Sequence, residues 1–184
     1  MVIAYRIDFR DTENLIALDE SSINLAYTRR YGRAMKNERI KEGVVDVRFE
    51  RKSILSTIRV NGTMCPMVFD GTLNKELFAK YIRTFLKPTV SSKDTLLLDN
   101  SSVHTSKLVL GTLKKCGIKY LFLPPYSPDF NPIELSWASM KSTLRKLKAR
   151  TRDKLDDAVK IALDSVKTTS IANWFKHCGY IVNT

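Results

Sequence analysis

Thr95-Leu96-Leu97-Leu98-Asp99 is an unbroken apolar run closed by a carboxylate. It is too short for a buried helix and has no polar alternation, so it predicts a strand covered on both faces. LIALD, residues 15–19, repeats the pattern. Downstream of the first run, 103–116 reads as a helix closed by Gly117, with Lys114 and Lys115 at the negative end of its dipole. KYLFL, 119–123, is a further strand. After the Pro-rich PPYSPDF, a long helix opens at Asn131-Pro132 and runs to about Lys148, followed by helices over roughly 153–168 and 171–177. Upstream, 44–49, 53–60 and 64–69 carry β-branched and aromatic residues, with Asn61-Gly62 as a hairpin turn between the last two. Residues 74–87 form a helix with Asn74 as N-cap, Pro88 after its end and one apolar stripe of Leu77, Phe78, Tyr81, Ile82, Phe85 and Leu86. The polar stretch 28–42 takes no assignment. Antiparallel strands followed by alternating strands and helices predict an α/β fold, a mixed central sheet flanked by helices, as one domain over 1–184.

Charge narrows the partners. The 31 Lys and Arg outweigh 19 Asp and Glu, a net +12 that points to a polyanion. With 43% hydrophobic residues the chain has a core to bury. No apolar run approaches the roughly 20 residues of a membrane span, and Arg6 and Asp8 break the N-terminal run, so it is not a signal peptide. Cys65, Cys116 and Cys178 are odd in number and far apart, which predicts three buried thiols and neither disulfide nor zinc. Seven scattered glycines form no P-loop and no dinucleotide fingerprint.

Three acids stand out. Asp19 and Asp99 close the two buried strands, at the edge where ligands collect in open α/β sheets. Each also suits a turn, and Asp99-Asn100-Ser101-Ser102 is good capping sequence. Glu134 falls three residues after Asn131, where a capping-box acid sits if Asn131 is the N-cap and Pro132 opens the helix. Along that helix Ile133, Trp137, Met140, Leu144 and Leu147 form the buried stripe. Beside it run Glu134, Ala138, Lys141, Arg145 and Lys148, an acid followed by three cations. A metal at one end and phosphates along the row explain that order better than a solvated face of mixed sign. Phosphodiester chemistry needs an activated oxygen, a stabilised leaving oxygen and charge relief at phosphorus, which two Mg²⁺ ions about 4 Å apart supply. Hard oxygen ligands suit Mg²⁺, and three carboxylates without metal would repel one another.

LLLDNSSVH (96–104) and LPPYSPDFNPIELSWASMK (123–141) resemble the DDE transposases of the mariner superfamily, especially the bacterial insertion-sequence branch. Thirty-four residues lie between Asp99 and Glu134, the spacing characteristic of that family. LIALDES (15–21) is similar to the segment with the family's first Asp, and WFKHCGY (174–180) to the close of many members. The resemblance implies an RNase H-like fold and metal-dependent DNA strand cleavage and transfer at TA targets. It implies two Mg²⁺ ions, with Mn²⁺ substituting, held by Asp19, Asp99 and Glu134, and Asn100, His104 and Asn131 as residues positioning them. Its implied partner is double-stranded DNA, bound at transposon ends by a homodimer, with no membrane. Lys141, Arg145, Lys148, Arg29, Arg30 and Arg33 are the candidate DNA contacts. Full-length members carry helix-turn-helix modules ahead of this domain, whereas fewer than 20 residues precede Asp19 here, so a catalytic domain alone is expected. The compartment expected is the bacterial cytoplasm or the eukaryotic nucleus. Two alternatives remain: a silent DNA-binding remnant, which retention of all three acids weighs against, and a nuclease that cuts without joining.

Overall fold

A computed structural model describes residues 9–24, 27, 33–39, 41 and 51–182. Five strands form one sheet: β1 (Leu15–Asn24), β2 (Arg51–Ile58), β3 (Met67–Asp70), β4 (Thr95–Leu98) and β5 (Lys119–Phe122), in the order β3-β2-β1-β4-β5. The pairs β1–β2 and β2–β3 are antiparallel, whereas β1–β4 and β4–β5 are parallel. A short 3₁₀ turn, Phe9–Asn14, leads into β1.

Both faces of the sheet are covered, which is why Leu15 through Leu18 and Leu96 through Leu98 are all buried without polar alternation. Leu15, Ala17, Ile54, Ile58 and Leu97 face one layer, helices α3 (Ile133–Leu147), α4 (Arg152–Asp164) and α5 (Thr168–His177). Ile16, Leu18, Leu55, Leu96 and Leu98 face the other, α1 (Lys75–Tyr81) and α2 (Lys107–Lys115). The expected mixed α/β architecture is what the chain adopts.

Local signals hold where the chain satisfies itself locally. Gly62 turns the β2–β3 hairpin at φ +89°, its N–H donating to the Arg59 carbonyl at 2.9 Å. A Cβ there would meet the Thr168 hydroxyl at 2.5 Å, so glycine serves both the turn and the seat against α5. The Asn74 side chain caps α1 through the Leu77 N–H at 2.8 Å. Arg59 forks onto both oxygens of Asp94 at 2.8 and 3.0 Å, fixing the hairpin to the entrance of β4.

Several boundaries move. β1 does not stop at Asp19 but continues to Asn24, because β2 supplies hydrogen-bonding partners as far as Arg51. β3 begins at Met67 instead of 64, with only an isolated bridge between Ile58 and Met64 before it. The helix at 74–87 continues as a wider turn over Ile82–Leu86 and a tight one over Lys87–Thr89, so Pro88 lies inside it; Phe85 is exposed. α2 starts at Lys107, capped by Ser106, because the chain before it folds back toward Asp99. Leu147 leaves the buried stripe and is exposed at the end of α3. Among the thiols only Cys178 is buried; Cys65 and Cys116 are half-buried, and all three are free. The expected strand at 44–49 lies outside the described residues. No helix among the described residues is long and apolar enough to cross a membrane.

Candidate active site

Alternation along β1 puts Asp19 on the face shared by Leu15 and Ala17, toward α3. There the Trp137 indole N–H donates to Asp19 Oδ2 at 3.1 Å. The parallel β1–β4 pairing ends at Ala17 and Leu97. Asp19 and Asp99 each stand two residues beyond that last pair, level with one another on neighbouring strands.

Asp99 lies just past the end of β4, and its Oδ1 is heavily used. Ser101 N–H donates to it at 3.0 Å and His104 Nδ1 lies 2.5 Å away. His104 is 3% exposed and packs against the Phe78 ring at 4.8 Å, so its imidazole has little freedom. The His104 contact, opposed by burial and aided by Ser101, holds the Asp99 carboxyl below its ordinary value. Asn100 Nδ2 donates to the Leu123 carbonyl at 2.6 Å, and Leu123 N–H donates to the Leu98 carbonyl at 2.8 Å. These bonds join the turn after β4 to the Pro-rich loop after β5.

Glu134 sits in the first turn of α3, its N–H donating to the Asn131 carbonyl at 3.1 Å. The side chain of Asn131 does not cap the helix as expected. Pro132, already helical at φ −60° and ψ −24°, occupies the N-cap, while Asn131 is extended before it. The Asn131 side chain is instead buried, and among the described residues its Oδ1 has no hydrogen-bond partner. A buried amide oxygen left unpaired is costly unless something outside the chain satisfies it.

The three acids line one cavity of about 390 Å³ with Asn100, Asn131 and the loop from Leu123 to Pro128. An adjoining opening of about 460 Å³ adds His104, Ser21 and Lys141 to the same carboxylates. Burial first, then the negative charge of Glu134, pushes the Asp19 carboxyl up to about 7; Asp99 adds a smaller push, against hydrogen bonds from the Glu20 backbone and Trp137. Mutual repulsion of this kind is what a bound cation relieves. Among the described residues no three His, Cys, Asp or Glu side chains are grouped closely enough to hold one ion. The donor chemistry still fits a hard divalent cation: carboxylate oxygens from three elements, and an amide oxygen with no other partner.

The basic row divides. Lys141 borders the carboxylates. Arg145 lies over the Tyr27 ring, 5.6 Å from its centre, and Lys148 closes α3 in the left-handed region at φ +52°. Arg33 is exposed, while Arg29 and Arg30 fall outside the described residues. Sequence reasoning gave Trp137 only a core role, although a buried indole N–H requires an acceptor. It also gave no role to Tyr126, which lines the carboxylate cavity.

Residues 14–156 match the model of the DDE superfamily endonuclease family. The Caenorhabditis briggsae transposable element Tcb1 transposase is 24% identical over 177 residues, covering 88% of this chain and 63% of that protein. The Tcb2 transposase of the same organism is 24% identical over 120 residues, covering 63% and 44%. The chain thus spans about half to two-thirds of the length of these relatives. A Mos1 transposase paired-end complex with the left transposon end superposes with a TM-score of 0.73 at 16% identity, over 90% of this chain and 52% of that one. The catalytic domain of Mos1 mariner transposase gives 0.65 at 14%, over 90% and 77%. The fold they share is the RNase H-like one that the motifs implied. By the match over residues 14–156, the chain belongs to the DDE superfamily of endonucleases.

Proposed function

We propose that this chain is the catalytic domain of a cut-and-paste transposase, cleaving DNA strands and joining them to a new target. One observation carries the reading: Asp19, Asp99 and Glu134, from a strand, a strand end and a helix start, line a single cavity with Lys141 at its side opening. A polyanion approaching a basic chain meets three carboxylates together there, which is where a divalent cation would be drawn. Asp19, Asp99 and Glu134 would hold two Mg²⁺ ions, or Mn²⁺ in their place. Bound there, such ions supply an activated oxygen nucleophile and relieve charge on the phosphate and the leaving oxygen.

The chain's own residues do the rest. Trp137 fixes one oxygen of Asp19, and Ser101 with His104 fixes one oxygen of Asp99, leaving the opposite Asp99 oxygen for a cation. Asn131 offers its unpaired amide oxygen beside Glu134. Lys141, Arg145 and Lys148, with Arg33, contact DNA phosphates, which sets position without reading sequence. The paired-end and strand-transfer complexes of Mos1 support assembly on transposon ends, and the motif resemblance adds a homodimer there and transfer to TA targets. The LLLDN motif and the 34-residue spacing support a place in the bacterial insertion-sequence branch, with the enzyme acting wherever its DNA resides.

Incubation with labelled duplex DNA and Mg²⁺ or Mn²⁺ tests this. Nicked and joined products are expected. Cut but never joined products indicate a nuclease, and no cutting with either metal rejects the reading.

A further inference from the structure

Tyr126 is the anomaly of the cavity. Its side chain is fully in water, at 103% relative exposure, although tyrosine is among the residues a fold most readily uses for packing. Its backbone sits at φ +56°, in the left-handed region that bulky side chains rarely occupy. The loop that imposes this conformation is stiff. Pro124 and Pro125 precede Tyr126, Pro128 follows Ser127, and each proline fixes its own φ. The Ser127 hydroxyl donates back to the Pro125 carbonyl at 3.2 Å, and Phe130 N–H donates to the Ser127 carbonyl at 3.2 Å. Asn131 N–H reaches the Pro128 carbonyl at 2.8 Å, tying the loop to the start of α3. An unfavourable backbone geometry therefore holds a bare aromatic ring in solvent, on the wall of the cavity that contains Asp19, Asp99 and Glu134.

We propose that Tyr126 is a stacking platform for an unpaired nucleobase next to the phosphate held at the carboxylates. This rests on the strand-cutting reading above and names the form of DNA that the site takes. A base inside a duplex is stacked on both faces and has none to offer a protein ring. Only a base that has left the helix gains from an aromatic surface, and every base can use one because each has a π-face. The cavity, at about 390 Å³, lies within the roughly 300–1,000 Å³ of pockets that take ligands larger than a few atoms. The ring adds no charge, so its effect is confined to unpaired substrates, unlike that of Lys141.

The test uses duplex oligonucleotides with a single unpaired 2-aminopurine beside a nick, and a fully paired control, in Ca²⁺ to permit binding. Stacking on a ring quenches 2-aminopurine fluorescence. Wild type, Tyr126→Phe and Tyr126→Trp should quench the unpaired probe, and Tyr126→Ala should not. Tyr126→Ala should also bind that probe roughly 5- to 150-fold more weakly while binding the paired control as wild type does. An exposed ring leaves the fold untouched when removed, so an unchanged melting temperature is expected. Equal quenching by Tyr126→Ala, or an equal loss on paired and unpaired DNA, overturns the proposal. So does absence of quenching by the wild type. Failure of the strand-cutting reading shows separately, as wild-type protein that quenches the probe but cuts no DNA with Mg²⁺ or Mn²⁺.

Discussion

The indole nitrogen of Trp137 and the Oδ2 of Asp19, 118 positions apart in the chain, meet at 3.1 Å. The bond fastens the helix that carries Glu134 to the strand that carries Asp19, so a residue of the core also aims a carboxylate. Trp137→Phe keeps an aromatic ring, though a smaller one, and removes the donor. Its loss should cost about 1.5–3 kcal/mol of stability at a pH where Asp19 is ionised. It should also move the Asp19 titration above about 7, since the indole favours the charged form. An NMR titration of the Asp19 carboxyl without metal reads this shift, and an unchanged midpoint would contradict it.

Metal-free stability should depend on Asp19 with a definite sign. The folded protein keeps the Asp19 proton up to about 7, whereas the unfolded chain releases it near the ordinary 3.8. Across that window the folded state binds more protons, so stability falls as pH rises and the loss is complete above the folded value. Asp19→Asn should therefore raise the melting temperature in EDTA at about pH 8, and by much less near pH 4. Millimolar Mg²⁺ should stabilise the wild type and leave the variant unmoved.

Asp99→Asn retains an oxygen for Ser101 and His104, so the turn after β4 should survive. Folding and DNA binding should match the wild type while cleavage disappears. Undiminished nicking would remove Asp99 from the active site.

For Asn131 the structure reverses the usual expectation for an N-cap. Its side chain caps nothing, and its Oδ1 is buried without a partner. Asn131→Ala should leave stability unchanged or raise it by up to about 1 kcal/mol, while activity falls roughly 10- to 100-fold. A destabilised protein of normal activity would restore a purely structural role.

Lys141 should act through phosphates. Lys141→Ala is expected to weaken binding about equally for every duplex and to flatten the slope of log affinity against log salt by roughly 0.9. Arg145→Ala should differ by also costing about 0.5–1 kcal/mol of stability, because the guanidinium lies over Tyr27. Adding Lys148→Ala to both should flatten the slope further. Salt titrations of all three variants with two unrelated duplexes separate these effects.

Much of this was legible in the sequence where cause and effect are neighbours. The runs at 95–98 and 119–122, the Asn61-Gly62 turn and the Asn74 cap each depend on residues within a few positions. Asp99 and Glu134 were legible because a strand end and a helix start leave local marks, and Asp19 because it closes the apolar run 15–18, although β1 continues past it. What escaped depends on distant partners. Glu20-Ser21-Ser22 reads as the end of a strand, yet it pairs with Leu55, Ile54 and Ser53 of β2. The start of α2 was displaced by a histidine that reaches back to Asp99, and the N-cap of α3 by one residue of proline geometry. The tie between Trp137 and Asp19 leaves no short-range trace at all.

β1 keeps β2 beside it as far as Asn24 but parts from β4 after Ala17, so the sheet opens there like a vice. Asp19 rides on one jaw, with Glu134 locked to it through Trp137. Asp99 rides on the other, clamped by His104 and, through Asn100, by Leu123. Just past the last pair, on the face of the sheet turned away from Asp19, Leu18 and Leu98 lie fully buried in one apolar cluster with Phe78. The gap across a site built for charge is therefore a matter of where one strand pairing ends, two residues short of each aspartate.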